Sequence, residues 1–106
     1  MVGLARRIAL TKAQHVYALH ATIILKAGKP VATGHNHGWV HAEVDALEKI
    51  WPQDRKGLRV LNFRITRAGN IVASKPCPKC EEYLRENGIK CVWYSKSDGT
   101  FEKMKL

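Results

Sequence analysis

The run Thr22-Ile23-Ile24-Leu25 is apolar at every position. Successive side chains of a strand point to opposite faces, so a run of this kind asks for cover on both sides of a sheet. A chain of 106 residues has room for one sheet with helices packed on it and little more. Its hydrophobic content of 45% is that of a globular protein rather than a disordered one. The expectation is therefore a single α/β domain, residues 1–106, with a central strand near Thr22.

The rest of the chain fits around that strand. Spacing of Leu4, Ile8, Val16 and Leu19 predicts a first helix. Ala27-Gly28-Lys29-Pro30 reads as a turn, and Val31 to Gly34 as the returning strand of a hairpin. In VHAEVDALEKIW, Val40, Val44, Leu47 and Trp51 share one helical face, and Pro52 ends the helix. LRVLNFRI alternates: Leu58, Val60, Asn62 and Arg64 to one side, Arg59, Leu61, Phe63 and Ile65 to the other. CEEYLRENG predicts a short helix stopped at Gly88, and IKCVWYS a strand. Asp98-Gly99 is a hairpin dipeptide, so TFEKMKL should return antiparallel to its neighbour. Strands alternating with helices predict a mixed sheet with helices on both faces.

Eighteen Lys and Arg stand against nine Asp and Glu, a net charge of +9. A field of that sign favours anionic partners such as nucleotides, nucleic acid or a membrane surface. The cations are scattered, so none marks a binding tail. The three cysteines, Cys77, Cys80 and Cys91, do not form a disulfide framework, and they fit a reducing compartment with thiols available to a metal. The first residues lack a secretory pattern, and VYALHATIIL covers about half a membrane span. The expected setting is cytoplasmic, with no membrane partner.

Chemistry concentrates in two stretches. SKPCPKCEEYL holds Cys77 and Cys80 in a C-x-x-C at the opening of a helix, a spacing that lets two thiolates share one zinc. The helix N-terminus, Lys75 and Lys79 all favour thiolate over thiol. HNHGWVHAE supplies His35, His37 and His41 together with Glu43. One imidazole with the two thiolates makes three protein ligands, which leaves a fourth tetrahedral position for water. Zinc acidifies such a water, and a neighbouring carboxylate can move its proton.

His41-Ala42-Glu43 followed downstream by Pro76-Cys77-Pro78-Lys79-Cys80 resembles the zinc-dependent cytidine and deoxycytidylate deaminase superfamily. The resemblance covers nearly the whole chain. It implies a three-layer α/β/α cytidine deaminase-like fold, with a five-stranded mixed sheet and an antiparallel C-terminal hairpin. It implies Zn2+ held by His41, Cys77 and Cys80, and Glu43 as the proton carrier. The reaction implied is hydrolysis of a cyclic amidine C–N bond, cytosine to uracil. Gly34-His35-Asn36 looks like the family's GxN, where the asparagine meets the sugar, and the Ala42 N–H would bond the base carbonyl. His35 and His37 then read as exposed loop histidines. Trp39 either stacks on the base or staples the start of the helix to the core. His20 reads as structural, and Cys91 as a small buried hydrophobe.

The family spans free nucleosides, nucleotides and single-stranded polynucleotides. An antiparallel last strand is like that of the free cytidine deaminases. The basic charge and the lysines of KPCPKC point instead to cytosine in a nucleotide or in single-stranded DNA, and that is the reading preferred here. A chain this short can also complete its pocket from a second copy, as oligomeric relatives do. A reading of another class is a structural zinc module on a basic nucleic-acid binder, with Cys91 closing a Cys3His site.

Overall fold

A computed structural model of the protein describes residues 19–36, 40–66 and 70–106. Six strands and two α-helices follow one another: β1 (Leu19–Lys26), β2 (Lys29–His35), α1 (Ala42–Leu47), β3 (Leu58–Ile65), β4 (Ile71–Val72), α2 (Pro78–Glu86), β5 (Cys91–Ser95) and β6 (Phe101–Lys105), with a 3-10 turn over Pro52–Asp54. The sheet runs β2-β1-β3-β5-β6, and the two-residue β4 pairs with β3 off that path. β3 and β5 are parallel, and every other pairing is antiparallel. The mixed α/β sheet and its antiparallel C-terminal hairpin are as the sequence predicts. The predicted first helix, and with it the third layer, lies outside the described residues.

β1 is hydrogen-bonded on both edges, which is why its apolar run is tolerated. Ile23 faces a cluster with Ala21, Phe63 and Ile65. Ile24 faces the other way, among Ala46, Leu47, Val60, Leu84 and Val92. The alternation read in β3 holds: Leu58 and Val60 lie in the second cluster, Leu61, Phe63 and Ile65 in the first. Both described helices pack on the same face of the sheet, since Ala46, Leu47 and Leu84 all join the second cluster.

Four local readings change. The first turn is tighter than predicted, with only Ala27 and Gly28 between the paired Lys26 and Lys29. Both turn residues have positive φ, as a two-residue hairpin turn with the right twist requires. At the C-terminal hairpin, Asp98-Gly99 sits at the tip of a longer loop, closed by Lys96 N–H donating to Thr100 O at 2.8 Å. The Asp98 carboxylate accepts from Thr100 N–H at 2.9 Å and from its hydroxyl at 2.6 Å. β4 was not anticipated, because two residues carry no periodicity.

The fourth change concerns α1, which is shorter than its sequence period. Trp51 is 72% exposed and Val40 36% exposed, so neither belongs to the core face assigned to them. The contact residues are Ala42, Ala46 and Leu47 instead. The reason is close approach. A Cβ placed on Gly34 of β2 would stand 2.4 Å from Ala42 O, 2.5 Å from Ala46 N and 2.8 Å from Ala46 Cβ. Alanines on the helix and a glycine on the strand bring the two backbones together, while Val40 and Trp51 fall outside the six-residue helix.

α2 ends as predicted. Gly88 takes φ +82, and Ile89 N–H donates to Leu84 O at 3.0 Å. A buried arginine, read only as part of a polar loop, joins the segments that follow the two helices. Arg55 donates through Nε to Ile50 O at 2.8 Å and through its guanidinium to the Asn87 side chain. Among the described residues, no helix is long and apolar enough to cross a membrane.

Candidate metal centre

His41 and Cys77 occupy equivalent places, the N-cap of α1 and the N-cap of α2. Each backbone carbonyl opens its helix: His41 O accepts from Asp45 N–H at 3.0 Å, and Cys77 O from Glu81 N–H at 2.9 Å. Neither side chain makes a capping bond. Residues normally preferred at this position spend their side-chain oxygen on the helix N–H groups. An imidazole and a thiol there remain available to each other.

They meet. His41 Nδ1 lies 3.2 Å from Cys80 Sγ and 3.9 Å from Cys77 Sγ. The three ligand atoms all fall within 4.8 Å of one another. A tetrahedral zinc with Zn–S about 2.3 Å and Zn–N about 2.0 Å needs sulfur–nitrogen separations of about 3.6 Å. The observed pair brackets that value, so the set fits zinc through Nδ1 of the imidazole. Cys91 stands at the start of β5 and is not in this group, so the Cys3His closure is not assembled among the described residues.

Without a metal the surroundings of Cys80 hold it as a thiol, against the expectation from the helix N-terminus, Lys75 and Lys79. Burial pushes the Cys80 thiol well up, and the Glu43 carboxylate and the Cys77 sulfur beside it push further in the same direction. A metal ion reverses this by taking the thiolate and releasing its proton. Glu43 is 4% exposed. Its Oε1 is buried without a hydrogen-bond partner, and it is the one such atom among the described residues. A buried carboxylate oxygen left this way costs folding energy and is therefore informative.

A cavity of about 400 Å3 opens over the trio, walled by Val40, Val44 and Tyr83, with Lys79 among its lining. His41 is exposed and Cys80 buried, so the ligands run from rim to floor.

The other predicted residues fall as follows. Ala42 is buried at the first turn of α1. Asn36 is half-buried, and its carboxamide oxygen accepts from His20 N–H at 2.8 Å. His35 is no exposed loop histidine: it ends β2 half-buried, its N–H donates to Asp45 Oδ2 at 3.1 Å, and its Nδ1 stands 3.8 Å from the same oxygen. The pleat explains this, because β2 extends one residue further than predicted. His37 and Trp39 lie outside the described residues.

His20 is closer to the chemistry than its place in β1 suggested. Burial, then Arg64, then His41 lower its pKa from 6.5 to about 4, so the imidazole is neutral at neutral pH. In that window the unfolded chain binds a proton that the folded chain refuses, so stability rises with pH. Below about pH 6.5 the protein is expected to lose stability progressively toward pH 4. Urea midpoints at about pH 7 and about pH 4.5 should differ less in His20→Asn than in the native chain. An equal difference in both would remove His20 as the cause.

Sequence reasoning missed what holds the cysteine loop. Ser74 Oγ donates to Asn62 O at 2.9 Å and accepts from Ser95 N–H at 3.0 Å, and the two serine hydroxyls are 2.8 Å apart. Ser95 Oγ donates to Val72 O at 2.7 Å. Thr22 Oγ1 donates to Asn62 Oδ1 at 2.8 Å from the next strand. This buried chain pins residues 72–74 to β3 and β5, three residues before Cys77. Serines give no periodic signal, so only their pairing reveals the role. Ser74→Ala leaves several buried groups unpaired and is expected to cost about 2 kcal/mol in urea unfolding. A loss well below that would mean water replaces the hydroxyl.

No protein-family model matches the chain, and no characterised protein matches it. Function is therefore read from the chemistry of this centre.

Proposed function

We propose that the protein is a zinc-dependent deaminase that hydrolyses cytosine to uracil, acting on cytosine in a nucleotide or in single-stranded DNA. The observation that carries this reading is Glu43: a buried carboxylate with an unpaired oxygen, two residues from one metal ligand and electrostatically coupled to another. A structural zinc site has no use for such a group. A hydrolytic site needs one that can take a proton from water and hand it on.

His41, Cys77 and Cys80 would hold the ion. Zinc so bound supplies Lewis acidity that makes water a nucleophile near neutral pH. Glu43 would carry the first proton of the attacking water to N3 of the ring and then the second, from the oxygen newly bonded to carbon, to the departing amine, ending as the carboxylate it began as. Water and cytosine are consumed; uracil and ammonia leave. The Ala42 N–H, at the first turn of α1, would bond the base carbonyl, and Asn36, just after β2, would meet the sugar. The resemblance to the cytidine deaminase superfamily supports both roles, together with a cytidine deaminase-like fold in a cytoplasmic protein.

Substrate size is read from the rim. The cavity is open, its ligand His41 is exposed, and Lys79 stands at its edge within a chain of net charge +9. A phosphate-bearing substrate fits that edge better than a neutral nucleoside. The deciding experiment is a uracil-release panel of zinc-loaded protein against cytidine, deoxycytidine, dCMP and a cytosine-containing single strand. Turnover of dCMP or the oligonucleotide supports the reading. Turnover of the free nucleosides alone makes it a salvage enzyme, and no uracil from any of them overturns the cytosine assignment.

A further inference from the structure

A second concave site lies on β3, β5 and β6. Its volume is about 280 Å3, and its lining includes Gly57, Arg59, Gly88, Lys90, Trp93 and Lys103. Arg59 Cζ stands 5.5 Å from the centre of the Trp93 ring, and Lys103 Nζ stands 5.4 Å from it. Lys103 is the direct cross-strand partner of Trp93, and Arg59 reaches it diagonally, since Leu61 is its partner on β3. Two cations are thus drawn to one half-buried indole. No carboxylate pairs with Arg59, Lys90 or Lys103 among the described residues. Like charges gathered without a counter-ion cost stability unless an anion joins them.

The position separates this cluster from the metal centre. Gly57 and Lys90 lie just before the parallel strands β3 and β5 begin. Ser74, which anchors the cysteine loop, is bonded to Ser95 at the far end of β5. Strand β3 alone, eight residues long, spans about 25 Å between those ends.

We propose that this site binds the phosphodiester backbone of a single-stranded nucleic acid. Arg59, Lys90 and Lys103 engage the phosphates, and the indole with its guanidinium neighbour offers a surface on which an unpaired base stacks. The concavity admits one nucleotide at a time, and a rigid duplex cannot turn a base into it. The two glycine turns at its edge, with positive φ at Gly57 and Gly88, leave open space where a side chain would otherwise stand. The proposal builds on the polynucleotide form of the proposed function, but its test needs no turnover.

The test uses the full chain and a labelled oligothymidylate of about 12 nucleotides, which holds no cytosine to be converted. Native protein is compared with the triple variant Arg59→Gln, Lys90→Gln, Lys103→Gln at several salt concentrations. The variant is expected to bind at least about tenfold more weakly, and its log–log salt slope to fall by about 2, three cations at about 0.7 each. Trp93→Phe is expected to keep the fold and remove the quenching of tryptophan fluorescence on binding. Unchanged affinity and slope in the triple variant overturn the proposal. So does loss of binding confined to Lys79→Gln, which would place the strand at the metal cleft only. Equal competition by a duplex overturns the single-strand assignment, and binding of phosphatidylserine vesicles in place of the oligonucleotide overturns the nucleic-acid one. Turnover of dCMP by the triple variant, measured alongside, separates failure of this site from failure of the deaminase reading.

Discussion

Glu43→Gln is expected to keep one zinc per chain and the native fold, while uracil release falls about a thousandfold or more. General acid–base groups of this kind contribute about 10^2 to 10^4 in rate. Here the same carboxylate would act on the attacking water, the ring nitrogen and the leaving group, so the upper part of that range applies. The stability effect should be small, because a carboxamide of the same shape fills the same buried space. The metal-free variant should therefore unfold at about the same urea concentration as the metal-free native chain. Zinc content by atomic absorption, paired with single-turnover assays and urea midpoints, checks all three. A variant that loses zinc would make Glu43 a ligand. A variant that retains full turnover would end the deaminase reading while leaving the metal centre standing.

The second large effect lies at a residue that touches neither metal nor substrate. Gly34→Ala places a methyl group where Ala42 O, Ala46 N and Ala46 Cβ already stand, at distances no real Cβ adopts. Two of those three atoms are backbone, so the helix itself must move. Overpacking of this kind costs about 3 kcal/mol or more. α1 carries His41 at its N-cap and Glu43 in its first turn, so the shift should carry into the metal centre. The variant is expected to unfold at lower urea and to bind zinc more weakly, since His41 would be drawn from Cys80. Gly34→Ala with Ala46→Gly is the control, because it returns part of the space. Native-like stability and zinc affinity in the single variant would show that α1 does not seat against β2 as described.

These two residues mark different limits of what a sequence displays. Glu43 stands out in the sequence by its spacing from His41 and from the paired cysteines downstream, and the fold buries it. The grouping of His41 with Cys77 and Cys80 was legible for the same reason, and so were the longer strands, as in β1 and β3, whose side chains alternate between two clusters. Gly34 was seen only as one letter of a short pattern, and nothing in the letters says that a helix backbone rests on it.

The remaining differences share that cause. Trp51 and Val40 fit a helical period, yet α1 covers only Ala42–Leu47, seats on Gly34 through Ala42 and Ala46, and leaves both exposed. His35 looked like a loop histidine until one more residue of pairing in β2 set it against Asp45. Ser74 and Ser95 are sequence neighbours of nothing relevant, and their hydrogen bonds exist only because β4, β3 and β5 converge. Arg59 and Lys103 looked like scattered charge, and become a cluster only through pairing with Trp93. Element types, strand faces and the His41, Cys77, Cys80 group that could hold a metal follow from local propensity, side-chain period and ligand chemistry, which are written in short stretches of the chain. Helix seating, the support of the cysteine loop and the second basic site depend on backbone approach and cross-strand register, which arise only when distant segments pack.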